Sequence, residues 1–103
     1  MITKDIAIYR GDDYLLEIAL LNADNTPADL TGAKIELAFG ELDGELTYAD
    51  ITTNQNVVMA VFSHAATKNI QWSNGVWDLQ VAQDGKVTTV ARGKIKITRD
   101  VTP

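Results

Sequence analysis

Residues 75–102 read GVWDLQVAQDGKVTTVARGKIKITRDVT, and this stretch decides the fold class. Apolar and polar residues alternate on both sides of Asp84-Gly85, and a period of two is typical of strands that bury only one face. Aspartate and glycine tolerate the positive φ angles that a two-residue hairpin turn requires. The stretch therefore predicts an antiparallel β-hairpin.

Length and composition predict one cysteine-free domain covering residues 1–103. A chain of 103 residues is long enough for one core and too short for two. The absence of cysteine excludes disulfides and thiol catalysis. Charges near the N-terminus interrupt the apolar run that a signal peptide needs, and no apolar run approaches membrane-spanning length. We expect a protein that is made and folded in a cytoplasm and binds no membrane.

The rest of the chain continues the β pattern and predicts about seven short strands with turns between them. Ser63 is a good N-cap for a short helical turn over residues 64–69. Gly93 is expected to form a kink or bulge. This spacing predicts an all-β antiparallel sandwich or a small barrel. The strand segments are 6–9, 14–21, 33–39, 45–52 (a weak strand or a loop), 57–62, 77–81, 87–91 and 94–98.

The charge balance argues against a nucleic-acid partner. The chain carries 9 basic and 14 acidic residues, a net charge of −5. A duplex binder needs a basic patch that displaces counterions from the phosphates. The basic residues of the last hairpin mostly occupy outward strand positions, where lysine also discourages edge-to-edge aggregation, and no aromatic stacking platform accompanies them. These residues are Lys86, Arg92, Lys94, Lys96 and Arg99.

Polar motifs offer no catalytic or metal site. Arg10-Gly11-Asp12 matches the tripeptide that integrins bind, but we interpret it as a turn between two strands. His64 is the sole histidine and has no histidine partner one helical turn away, so we expect a solvated surface residue. The acidic clusters lack the spacing of a calcium loop and are read as solvated turns. They contain Asp12, Asp13, Glu41, Asp43 and Glu45.

The two tryptophans differ in their expected roles. Trp77 is in phase with Leu79 and Val81, which favours the core. Trp72 lies in a loop, where its ring is available for contact with a ligand or a partner. A carbohydrate-binding module that uses Trp72 is therefore an alternative function, and an enzyme that uses the acidic clusters is a further alternative without positive support.

Several spaced motifs resemble small bacteriophage and prophage structural proteins. The chain is similar to the N-terminal immunoglobulin-like domain of phage upper-baseplate proteins and to short tail-associated proteins. The likeness covers nearly the whole chain and rests on the order of the motifs. These are Arg10-Gly11-Asp12, Ala28-Asp29-Leu30-Thr31-Gly32-Ala33, Ser63 with Thr67, 75–81, Asp84-Gly85-Lys86-Val87, Arg92-Gly93-Lys94-Ile95 and Asp100-Val101-Thr102.

The resemblance implies an immunoglobulin-like β-sandwich in a virion, docked to copies of itself or to other tail or baseplate proteins. It implies no catalysis, cofactor or metal. The chain ends just after Asp-Val-Thr, so we expect no receptor-binding extension. Segment 57–62 carries bulky residues on both faces, which fits either two-sided burial or an oligomer contact. The predicted contact residues are Val58, Ala60, Phe62 and Trp72.

Overall fold

The computed structural model describes residues 1–99. Within them the chain forms nine strands and one short helix. The Asp100-Val101-Thr102 motif lies outside the described residues. The strands pack as two sheets, which confirms the predicted all-β sandwich. The elements are β1 (Ile2–Thr3), β2 (Ile6–Tyr9), β3 (Tyr14–Ala19), β4 (Lys34–Gly40), β5 (Leu46–Tyr48), β6 (Asp50–Asn54), β7 (Val57–Phe62), α1 (His64–Thr67), β8 (Asn74–Gln83) and β9 (Lys86–Thr98).

The larger sheet has the order β1-β9-β8-β4-β5, with β2 also paired to β9, and the smaller sheet has the order β3-β7-β6. Strands β1 and β2 run parallel to β9, while the other strand pairs are antiparallel. The expectation of a wholly antiparallel sandwich is therefore wrong at this edge. Strands far apart in the sequence are joined by no tight turn, so no hairpin fixes their relative direction.

The predicted hairpin is present between β8 and β9. Asp84 has φ 54° and Gly85 has φ 77°, as a type I′ turn requires. The two predicted strands after the turn are one continuous strand, β9. Its bulge lies near Val90, because Leu79 pairs with Ala91 while the next residue of β8 pairs with Thr89.

Gly93 allows a close backbone approach and is not the predicted kink. It lies opposite Trp77 on β8, and a Cβ atom there would overlap the Lys4 carbonyl oxygen. That oxygen accepts a hydrogen bond from Trp77 Nε1 at 2.9 Å, and Lys4 N donates to Arg92 O at 3.0 Å. The missing side chain at Gly93 thus lets the N-terminal segment lie against β9.

Segment 45–52, expected as a weak strand or a loop, supplies strands to both sheets. Strand β5 pairs with β4 in the larger sheet, and β6 pairs with β7 in the smaller one. Ala49 lies between them, and its N–H donates to the Leu37 carbonyl at 3.0 Å. The chain therefore crosses from one sheet to the other at this residue.

The core fills the space between the two sheets. Phe39 of the larger sheet meets Phe62 of the smaller sheet with ring centroids 4.9 Å apart. Trp77 is buried beside them, as its phase with Leu79 and Val81 predicts. The buried hydrophobic residues are Ile6, Ile8, Leu16, Ile18, Leu20, Leu37, Phe39, Val58, Ala60, Phe62, Ile70, Trp77, Leu79, Val81, Ala91, Ile95 and Ile97.

Gly93→Ala should lower the free energy of unfolding by about 2 kcal/mol or more, since the new methyl group meets backbone that cannot move independently of the sheet. Urea unfolding followed by tryptophan fluorescence measures the change. Thr88→Ala, on an exposed position of the same strand, is the control and should stay within about 0.5 kcal/mol of wild type. Equal stabilities of the two variants would contradict the assigned role of Gly93.

Candidate functional site

The predicted contact residues of β7 lie in the core and not at the surface. Val58, Ala60 and Phe62 are each at most 1% exposed. Their side chains point between the sheets, so the prediction that these three residues contact a partner is wrong. Apolar residues at every position of β7 made the inward face undecidable from periodicity alone.

The alternate residues of β7 face outward and form the centre of the candidate site. Val57 and Met59 are half-buried, and Val61 is 36% exposed. Leu15 of β3 pairs directly with Val61 and is 52% exposed. These four residues, Leu15, Val57, Met59 and Val61, are called the apolar strip below.

Polar residues of β3 and β6 flank the apolar strip. Glu17 pairs with Met59 from one side, and Asp50 pairs with Val61 from the other. The outward positions of the three strands carry these two acids and no basic side chain. The outer face of the smaller sheet is thus apolar along its middle strand and negative on both sides. It comprises the apolar strip together with Glu17, Ala19, Asp50, Thr52 and Asn54.

Trp72, the fourth predicted contact residue, is half-buried and packs against the core. A Cβ atom on Gly75 would overlap the Gly40 carbonyl oxygen and the Trp72 ring, so the ring lies close against that backbone. Only part of the indole reaches solvent. This geometry favours a packing role over the flat exposed platform that a carbohydrate-binding module presents to a sugar ring.

The Arg10-Gly11-Asp12 tripeptide forms a turn at one end of the sandwich, as predicted. Gly11 has φ 86°, and its N–H donates to Thr67 Oγ1 at 3.0 Å. The Thr67 hydroxyl is buried and lies 3.4 Å from the Asp12 carbonyl oxygen. Arg10 Nη1 donates to the Ile70 carbonyl at 3.3 Å. The tripeptide therefore fastens the β2–β3 connection to the helix.

His64 pairs with Asp13, which the sequence did not reveal because the two residues lie 51 positions apart. Asp13 Oδ1 accepts from His64 N at 2.6 Å and lies 3.0 Å from Nδ1. The backbone hydrogen bond, and then the side-chain one, lower the pKa of Asp13 below its usual range. Both side chains are exposed. Ser63 caps the helix as predicted, with Oγ accepting from Ala66 N at 3.2 Å.

The second predicted acidic cluster lies at the surface, in one turn. Glu41, Asp43 and Glu45 are exposed in the β4–β5 turn, where Gly44 N donates to the Glu41 carbonyl at 2.9 Å. Among residues 1–99, no group of three or more histidine, aspartate or glutamate side chains is arranged to hold a metal ion. The turn geometry accounts for this cluster.

A cleft of about 650 Å³ opens at one end of the sandwich, beside the hairpin turn. Apolar residues such as Leu20, Leu30 and Val81 line it. Gln83 also lines the cleft, and its Nε2 donates to the carbonyls of Asp29 and Thr31, at 2.9 and 3.0 Å. The cleft thus combines an apolar wall with a polar group that already holds the neighbouring loop in place.

Comparison with protein-family models and with curated proteins found no match to this chain. Within the part of the chain that the structure describes, no helix is long and apolar enough to cross a membrane.

Asp13→Asn should reduce the pH dependence of stability in acid. The folded state lowers the pKa of Asp13, so its ionised form stabilises the fold at neutral pH, and this contribution is lost as pH falls through the folded-state pKa. Melting temperatures measured from neutral pH down to about pH 2 should therefore fall less steeply for the variant. The exposed Asp43→Asn is the control and should keep the wild-type slope. A wild-type slope in Asp13→Asn would contradict the assignment.

Proposed function

We propose that this protein is a non-enzymatic structural component of a bacteriophage or prophage tail or baseplate. In this proposal it docks onto virion proteins through the outer face of the smaller sheet. The observation that carries the proposal is the apolar strip, which lies on a sheet face turned away from the core.

The strip departs from the usual pattern of a half-buried sheet. Antiparallel sheets with one face in water normally carry polar residues on that face. Here the central strand β7 presents Val57, Met59 and Val61 outward in succession, and Leu15 extends the surface onto β3. Leu15 and Val61 are exposed, while Val57 and Met59 are half-buried. A contiguous apolar surface rimmed by polar residues is typical of protein interaction sites.

Strand edges add to the docking surface. Strands β3 and β6 are the outer strands of the smaller sheet. Outer strands offer backbone N–H and C=O groups with which a partner's strand can pair. A partner on this side of the sandwich thus has both apolar side chains and backbone groups to bind.

The virion assignment comes from the order of the sequence motifs, which resembles that of phage tail and baseplate proteins. The docking face supports the virion assignment, since a tail or baseplate component acts through contacts with its neighbours. Arg10-Gly11-Asp12 and Ser63 with Thr67, two of the motifs, meet in space and hold one end of the sandwich together. The motif series is therefore explained in part by structural roles.

Val61→Asp should weaken binding to the tail and baseplate proteins of the encoding phage or prophage at least tenfold, because it places a second charge beside Asp50 within the apolar contact. Biolayer interferometry with each purified tail and baseplate protein, and with intact virions, measures the loss. Val87→Asp is the matched control, since Val87 is 67% exposed on the larger sheet.

Circular dichroism should show that Val61→Asp and Val87→Asp remain folded. Val58→Asp, at a buried position of the same strand, should unfold the protein and would report on the core instead. Undiminished binding by folded Val61→Asp would overturn the proposed docking face, and absence of binding by wild type to every tail and baseplate protein would overturn the virion assignment.

A further inference from the structure

We propose that the occupant of the outer face of the smaller sheet is the outer face of the larger sheet of a second copy of this chain. This inference rests on the proposed function, because it assigns a partner to the same docking face. It adds the partner's identity, the contact surface on that partner and the symmetry of the contact.

The partner surface is a basic stripe along β9, defined as Arg92, Lys94 and Lys96. These residues occupy three successive outward positions and are exposed. Two acids neighbour the stripe: Asp78 lies opposite Arg92 in the sheet, and Asp5 Oδ1 accepts from the Lys94 N–H at 3.1 Å. Lys96 lies between the uncharged residues Ala7 and Asn74. The stripe therefore keeps a positive excess.

Apolar surface accompanies the basic stripe. Val76 of β8 pairs with Lys94 and is exposed on the same face. A hollow of about 600 Å³ lies between them and the N-terminal segment, with Thr3, Asp5 and Arg92 on its wall. A row of apolar side chains from a second molecule can enter this hollow while acids at its sides meet the bases.

Charges on the two faces are opposite in sign and similar in spacing. Glu17 and Asp50 lie two strands apart and one step of two residues along the strands, which places them about 12 Å apart from standard strand spacings. Arg92 and Lys96 lie four residues apart on one strand, or about 13 Å. The two acids can thus oppose Arg92 and Lys96, the two ends of the basic stripe.

The same charges disfavour contact between two copies of the smaller-sheet face. A two-fold contact would bring Glu17 and Asp50 of each copy against the same acids of the other, and like charges across an interface are unfavourable. Two different faces on opposite sides of the sandwich instead give a head-to-tail contact. Such contacts close into rings or extend as filaments.

Multi-angle light scattering across a concentration series tests the inference. Wild type should increase in mass with concentration at low salt, and 0.5 M NaCl should reduce the association because salt screens the charge pairs. The variants Glu17→Lys/Asp50→Lys and Arg92→Glu/Lys96→Glu should each remain monomeric alone. An equimolar mixture of the two should regain association, because each variant keeps one face complementary to the other. Lys68→Glu/Lys86→Glu, which changes net charge equally at exposed positions elsewhere, should associate like wild type.

Three results would overturn self-docking: a monomeric wild type at every concentration, association that survives either charge reversal, or no recovery in the mixture of folded variants. None of these would remove the proposed docking onto tail and baseplate proteins, which the Val61→Asp binding measurement tests separately.

Discussion

The hydrogen bond from Trp77 Nε1 to the Lys4 carbonyl is the contact around which the larger sheet is organised. A buried indole N–H without an acceptor would cost about 1–3 kcal/mol. The Lys4 carbonyl reaches the indole only because Gly93 has no side chain. Three residues far apart in the sequence thereby bring the N-terminal segment onto β9, where Ile6 and Ile8 cover the core.

The addition of β1 and β2 to the larger sheet determines which surfaces a partner can contact. Ile6 and Ile8 cover the core at this edge. The two outer faces of the sandwich face solvent, and they differ in charge. The smaller sheet presents apolar residues between Glu17 and Asp50, whereas β9 presents Arg92, Lys94 and Lys96. A protein with two unlike faces on opposite sides is suited to repeated head-to-tail contacts, and this is the physical link between the fold and the proposed assembly role.

Polar contacts, in addition to packing, connect the β2–β3 turn to the helix. Thr67 is buried, accepts from Gly11 N and sits under the turn, while Asp13 binds the backbone and ring of His64. Of these groups only Thr67 is buried, and leaving its hydroxyl without a partner would cost free energy. The Arg10-Gly11-Asp12 tripeptide is thus explained by its contacts within the chain.

Local chemistry in the sequence determined the hairpin at Asp84-Gly85, the Ser63 cap, the core position of Trp77 and the all-β class, because turn preferences, capping and alternation act between near neighbours. Tertiary structure alone decided the parallel pairing of β1 and β2 with β9, the crossing at Ala49 and the Asp13–His64 pair, since each joins distant residues. It also decided which side of β7 faces the core. With apolar residues at every position of that strand, periodicity favours neither side, and only packing against Phe39 and the rest of the larger sheet turns Val58, Ala60 and Phe62 inward.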